Sequence, residues 1–154
     1  MTCQSDEVSY LQLLVPLVAS IIAAVLIVLG NYRLQNRIGR QIRAVEGLRD
    51  RLYDFLELGS QYWTSFAKNI EDRKMLEAKM MALSLIISSD FKQIEGSSKK
   101  LGRAISKTRK ARLDLMDAAT GGCFQQAKWR PEPYRVTRMA KEIGYIVIEL
   151  NKAC

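Results

Sequence analysis

Residues 8–32 read VSYLQLLVPLVASIIAAVLIVLGNY, and no charged side chain occurs among them. Leu, Val, Ile and Ala occupy every side of the helix that this stretch would form, so it lacks the polar face of a helix at the surface of a soluble domain. A helix needs roughly 20 apolar residues to cross a hydrocarbon core about 30 Å thick. The stretch therefore predicts one transmembrane helix, which we place at residues 10–30.

Charged residues are divided unequally by this predicted span. All 24 Lys and Arg residues follow residue 32, whereas Asp6 and Glu7 are the only charged side chains before it. Because basic flanking segments stay on the cytoplasmic side, we expect residues 1–9 to form a short extracytoplasmic tail and the C-terminal part to lie in the cytoplasm, at the inner (plasma) membrane. A cleavable signal peptide is the alternative, but such a peptide begins with basic residues and has a shorter apolar core.

The chain past the span is strongly basic. Its 24 basic residues face 14 acidic ones, since Asp6 and Glu7 are the other two of the 16 acids. The remaining length suits one small domain. A basic domain beside the anionic inner leaflet gains roughly 1 kcal/mol for each basic group close to the lipid headgroups, and nucleic acid would attract it as well.

Apolar residues recur every three or four positions after the span, from Leu34 to Phe55. This period predicts an amphipathic helix over residues 31–58, which would be the first helix of the cytoplasmic domain. Gly59 and Ser60 are predicted to end it. Four arginines beside the apolar stripe are predicted to contact lipid phosphates where the helix leaves the bilayer: Arg33, Arg37, Arg40 and Arg43.

Residues 59–154 form the remainder of the predicted domain. Asn69 followed by Asp72 indicates an N-cap, and the helix that follows is predicted to reach about Phe91 or Ile94. Because this helix is the most apolar segment after the span, we expect it to be the central helix of the domain.

Two further helices complete the prediction. A serine after Gly96 can cap a helix over Lys99–Thr120, and Pro133 suits the first turn of a last helix whose polar side would include Arg135. Strand patterns are nearly absent. The sequence thus predicts an all-α protein in which a single N-terminal transmembrane helix continues into a cytoplasmic antiparallel bundle of about four helices.

Tyr62, Trp63 and Phe66 form an aromatic cluster in the sequence. A ligand pocket and a membrane-interface belt are two interpretations of such a cluster. We favour a third, packing within the domain core, because no convergent polar groups are evident nearby in the sequence.

The third predicted helix has seven basic residues and no acid between Lys99 and Arg112. A solvated face normally intersperses acidic residues, so this polarity indicates binding to anionic lipid headgroups, to an acidic partner protein or to nucleic acid. The membrane tether favours lipid, and the lack of interleaved aromatic residues disfavours nucleic acid. A merely solvated face is the remaining alternative. Five cations fall within an arc of about 100°: Lys99, Lys100, Arg103, Lys107 and Lys110.

Chemistry-bearing residues are scarce. The chain contains no histidine, and Cys3, Cys123 and Cys154 are widely separated. We therefore expect no metal site, no cofactor and no enzymatic activity. Whether Cys3 cross-links two chains stays open.

Small residues four positions apart within the span predict a face for helix packing and hence a homo-oligomer: Ala19, Ser20, Ala23 and Ala24. We expect a non-enzymatic single-pass membrane protein whose basic helical domain docks a partner or self-associates at the inner membrane face. The alternative is a membrane-perturbing effector, pore-forming or depolarising, such as a toxin or phage-defence protein gated by the cytoplasmic helices. A membrane-tethered nucleic-acid binder is the third hypothesis.

Overall fold

The computed structural model describes residues 7–64, 69–122, 124–126 and 129–154, with the side chains of Pro16 and of residues from Val18 onward. These residues form five helices and no strand, which confirms the all-α prediction. The first six residues of the predicted tail lie outside the described residues, as do Phe66, Cys3 and Cys123. The helices are α1 (Glu7–Trp63), α2 (Ile70–Glu95), α3 (Lys99–Lys107), α4 (Arg109–Thr120) and α5 (Tyr134–Asn151).

The chain divides into two compact units, Met1–Arg40 and Gln41–Cys154. Within the described part of the first unit, α1 contains an 18-residue window with a mean hydropathy of 1.6, and none of that window is buried. By length and composition, α1 is therefore able to cross a membrane. It is the one described helix with this property.

The core of the second unit includes the C-terminal part of α1. The apolar stripe predicted from Leu34 to Phe55 is buried only from Val45 onward, because Leu34, Ile38 and Ile42 are exposed by 56%, 46% and 41%. Leu48, Leu52 and Phe55 have no exposed surface.

α1 does not end at Gly59 and Ser60 as predicted; it continues to Trp63. Gly59 is buried, and a Cβ placed on it would lie 2.6 Å from Cε of Met139 on α5. The glycine therefore permits close packing of two helices, which outweighs its cost of about 1 kcal/mol within a helix.

α2 runs in the opposite direction to the C-terminal part of α1. Arg51 forms a 2.5 Å ion pair with Asp90 near the end of α2, whereas the hydroxyl of Tyr62 donates a 2.7 Å hydrogen bond to Glu77 near its start. Asn69 accepts a 2.7 Å bond from the backbone N–H of Asp72, which confirms the predicted N-cap.

The prediction that α2 is the central helix is wrong. Leu76, Met80, Ile87, Phe91 and Ile94 pack into the core, but the opposite side is left uncovered within the described structure. There Met75, Met81, Leu85 and Ile86 are exposed by 51%, 48%, 72% and 47%. The high apolar content of α2 thus arises because two of its sides are apolar. The domain buries one of these sides.

The single helix predicted over Lys99–Thr120 is two helices, α3 and α4, separated at Thr108. The backbone N–H of Thr108 is shared between the carbonyl oxygens of Ala104 and Ile105, and its hydroxyl donates to the Ile105 oxygen at 2.9 Å. Such local bonds compete with regular α-helical pairing. The predicted serine cap is confirmed, because Ser98 accepts a 3.2 Å bond from the N–H of Leu101.

Arg135 is buried at 6% exposure, although the sequence predicted it on the wet side of the last helix. Its guanidinium pairs with Glu132 and donates to the carbonyl oxygens of Asp117 and Ala118 at 3.0 and 3.3 Å. It therefore caps the C-terminus of α4, where carbonyl groups lack helical partners. Gly122, at φ +63°, leaves room for this guanidinium.

Two members of the predicted aromatic cluster, Tyr62 and Trp63, belong to the core, as predicted. Tyr62 and Trp63 are fully buried, and the ring of Tyr62 contacts Trp63, Phe124 and Trp129 at centroid distances of 4.8, 5.2 and 5.9 Å. The indole N–H of Trp63 donates a 3.1 Å bond to the oxygen of Ala119 on α4.

Candidate functional site

α3 presents a concentrated positive surface. Leu101, Ala104 and Ile105 are buried at 2%, 6% and 0% exposure, which fixes one side of the helix against the core. Because α-helical side chains recur every 3.6 residues, the intervening basic side chains face solvent. Four exposed cations make up what we call the α3 basic surface: Lys99, Lys100, Arg103 and Lys107.

A groove of about 590 Å³ lies beside the end of α2 and contains part of this surface. Glu95 is its one acidic lining residue, and Gly102 allows α3 to approach the backbone of α2 closely: a Cβ there would lie 3.1 Å from the Glu95 carbonyl oxygen. The groove is lined by Glu95, Lys99, Gly102, Arg103, Ser106 and Lys107.

A second groove, of about 220 Å³, lies between α3 and the C-terminal end of α5, and it adds Lys152 to the basic residues. Glu149 accepts a 2.6 Å bond from Lys152, while Nζ of Lys107 is 3.9 Å from the other carboxylate oxygen. The bond from Lys152 lowers the pKa of Glu149, and Glu149 in turn raises the pKa of Lys152. Both groups are therefore charged at neutral pH, and Glu149 compensates chiefly Lys152.

The α3 basic surface is largely without acidic partners. Across the residues that the structure describes, Lys99, Lys100 and Arg103 form no ion pair, and Lys107 has the 3.9 Å contact alone. Five arginines elsewhere in the domain do form ion pairs, as Arg138 does with Asp117 at 3.2 Å. The four charges are thus available to an external anion.

The break at Thr108 divides the predicted five-residue face. Lys110 is exposed on α4 and lines neither groove, whereas Arg112 turns inward and packs 4.7 Å from the ring centroid of Phe91. The sequence did not predict that Lys152 lies beside the α3 basic surface. No local sequence signal reveals it, because its position beside α3 depends on how α5 packs.

The other predicted contact residues are exposed as well. Arg40 donates to the backbone oxygen of Asn36 at 3.4 Å. All the residues in these two sets are exposed, as contact with lipid or with a second helix requires, and those contacts remain predictions. They comprise the arginines Arg33, Arg37, Arg40 and Arg43 and the span residues Ala19, Ser20, Ala23 and Ala24.

Metal-binding side chains do not cluster in the described ranges, where no group of three or more His, Cys, Asp or Glu residues is placed to hold an ion. Partial burial raises the pKa of the Cys154 thiol, which disfavours the reactive thiolate at neutral pH. No protein-family model, curated protein or solved structure matches this chain.

Proposed function

We propose that this chain is a non-enzymatic single-pass membrane protein whose basic cytoplasmic helical domain docks at the inner face of the plasma membrane. In this proposal α1 crosses the bilayer with its N-terminus outside, and the helices from Gln41 onward form an antiparallel bundle. The observation that carries the proposal is the α3 basic surface, whose charges have almost no acidic partners.

The position of this surface within the domain supports a lipid ligand. The side-chain amide of Gln41 donates a 3.0 Å bond to the carbonyl oxygen of Ser97, just before Lys99 and Lys100. The α3 basic surface therefore begins beside Gln41, which is the first residue of the second unit. In the sequence, Gln41 follows the predicted end of the span by eleven positions.

Anionic headgroups match the surface chemically. Lysine and arginine bind phosphate groups through charge-assisted hydrogen bonds, and each basic group near an anionic leaflet contributes roughly 1 kcal/mol. Four such groups would contribute on the order of 4 kcal/mol. Aromatic side chains, which stack on the bases of single-stranded nucleic acids, are absent from the sequence of α3.

A protein partner is the second candidate, favoured by the uncovered side of α2. Met81 and Leu85 are one helical turn apart on that side and are exposed by 48% and 72%. Contiguous exposed apolar side chains are typical of protein interaction surfaces. In this version of the proposal, the lipid contacts of α3 would hold the domain at the membrane while α2 contacts the partner.

Lysine acetylation of the full chain tests the lipid proposal. The protein is placed in nanodiscs of phosphatidylcholine, with or without phosphatidylglycerol, and the acetylation rate of each lysine is measured by mass spectrometry. We expect phosphatidylglycerol to slow acetylation of Lys99, Lys100 and Lys107 several-fold, and added salt to restore it. Exposed Lys74 and Lys79 on α2 are internal controls whose rates should not change.

Charge reversal provides the matched variants. Lys100→Glu together with Arg103→Glu should abolish the effect of phosphatidylglycerol on Lys107, whereas Lys74→Glu together with Lys79→Glu should preserve it. Equal acetylation rates in neutral and anionic nanodiscs would reject lipid docking through α3.

A further inference from the structure

The exposed part of α1 before Arg40 has a seven-residue register. Two series of residues, each repeating every seven positions, alternate at spacings of four and three, the pattern of a coiled-coil seam. At 100° per residue, all six residues lie within an arc of about 80°. The two series, which we call the α1 seam, are Ser20, Ile27 and Leu34, and Ala24, Asn31 and Ile38.

The apolar members of the α1 seam are not covered by the described residues of the chain. Ile27, Leu34 and Ile38 are exposed by 64%, 56% and 46%, whereas Val45, which follows Ile38 in the second series, is 5% exposed in the domain core. Leu34 and Ile38 follow the predicted span, so lipid hydrocarbon does not cover them either. Leu34 and Ile38 are one helical turn apart, and a second helix packed against them would remove both side chains from water.

Asn31 indicates what that partner is. Its side chain is exposed and forms no hydrogen bond with another described residue, and it follows the predicted end of the span by one position. A single Asn at an a position of a coiled coil favours two parallel strands, because the two amides bond to each other across the pair. A second copy in the same membrane supplies the same Asn at the same depth.

The arginines beside the seam leave room for this second copy. Taking 100° per residue, Arg33, Arg40 and Arg43 lie about 140° or more from the centre of the α1 seam, and Arg37 lies about 100° from it. Two parallel copies that meet along the seam therefore do not place like charges opposite each other, and the arginines stay on the outer sides, where lipid phosphates are accessible.

We propose that the protein is a parallel two-fold homodimer held together by the α1 seam. This inference rests on the proposed membrane span but not on lipid docking by α3. The proposed dimer assigns different positions to the small residues of the span: Ser20 and Ala24 lie in the interface, and Ala19 lies outside it. Close helix approach within the bilayer needs small residues of this kind.

Disulfide cross-linking of the full chain in membranes tests the register. In a background with the three native cysteines changed to Ser, the seam variants Leu34→Cys and Ile38→Cys are compared with the off-seam variants Asn36→Cys and Arg40→Cys. All four positions are exposed, so each variant should fold. After oxidation, the seam variants should form covalent dimers and the off-seam variants should stay monomeric; similar yields at all four positions would overturn the proposed seam.

The mass of the full chain in mild detergent tests the contribution of the span. Ala24→Leu should lower the dimer fraction several-fold, and the matched change Ala19→Leu should leave it unchanged. A dimer insensitive to Ala24→Leu, or assemblies larger than two copies, would contradict the two-fold seam, and the larger assemblies would favour a pore-forming effector. The lysine acetylation experiment tests lipid docking by α3 independently of the dimer. If phosphatidylglycerol still protects the α3 lysines but the seam variants do not cross-link, the dimer is rejected and lipid docking is not.

Discussion

Gly59 on α1 lies directly against Met139 on α5, so that a Cβ on the glycine would be 2.6 Å from Cε of the methionine and 2.7 Å from its Sδ. Met139 itself has no exposed surface. The glycine thus has a packing role inside α1, whereas a pattern of Gly followed by Ser in a sequence usually indicates a helix end.

Alanine at two helical glycines should have opposite effects on stability. Gly144 on α5 has no atom within 4 Å of an added Cβ, so Gly144→Ala should raise the free energy of unfolding by about 0.5–1 kcal/mol through helix propensity. Gly59→Ala should instead lower it by up to about 2 kcal/mol, because the end of the Met139 side chain must shift inside the core. Overpacking costs about 1–3 kcal/mol, and the propensity gain of about 1 kcal/mol offsets part of this cost. Chemical denaturation of the full chain in mild detergent measures both, and stabilisation by Gly59→Ala would contradict the close contact with Met139.

Truncation of two leucines should distinguish the buried and uncovered parts of the domain. Leu52 on α1 has no exposed surface, whereas Leu85 on α2 is 72% exposed. We expect Leu52→Ala to lower the free energy of unfolding by about 2–5 kcal/mol, and Leu85→Ala to change it by less than about 0.5 kcal/mol. The same denaturation experiment applies, and a large loss with Leu85→Ala would show that α2 is covered in the folded protein.

The buried hydroxyl of Tyr62, which is bonded to Glu77, should make stability depend on alkaline pH. Burial, followed by the hydrogen bond to Glu77, raises the pKa of Tyr62 above its ordinary value of about 10. The unfolded chain therefore ionises first, so this contribution is complete below pH 10 and is lost as the pH rises through the raised pKa of the folded state.

Tyr62→Phe separates this effect from other alkaline losses. The variant should be less stable by about 1 kcal/mol at neutral pH, since a buried hydrogen bond is removed, and its stability should fall less than that of the wild type above pH 10. Thermal unfolding at neutral and alkaline pH, followed by circular dichroism in mild detergent, measures both. Equal alkaline losses in the two proteins would contradict the raised pKa of Tyr62.

Local signals in the sequence were sufficient for several features of the fold. Asn69 and Ser98 cap α2 and α3 as predicted, because an N-cap depends on a few neighbouring residues. Features that depend on distant residues were missed. Arg135 is held inward by hydrogen bonds to the carbonyl groups at the end of α4, and the packing of α5 places Lys152 beside the α3 basic surface. The α3 lysines themselves were predictable, since charge polarity along one helix is visible in the sequence.

The ion pair of Glu132 with Arg135 should weaken in acid. The hydrogen bond from Arg135 lowers the pKa of Glu132 below its ordinary value of about 4.5. Because the folded state holds the carboxylate ionised at a lower pH than the unfolded chain does, the stabilisation is complete above pH 4.5 and is lost as the pH falls through the lowered pKa. Glu149, whose pKa is lowered by Lys152, contributes in the same direction.

Thermal unfolding of the full chain between pH 6 and pH 3 should therefore show a loss of stability that Glu132→Gln reduces. The control Glu71→Gln, at an exposed position of α2, should leave the wild-type profile unchanged. Identical acid profiles for Glu132→Gln and the wild type would mean that this pair does not hold Arg135 against the end of α4.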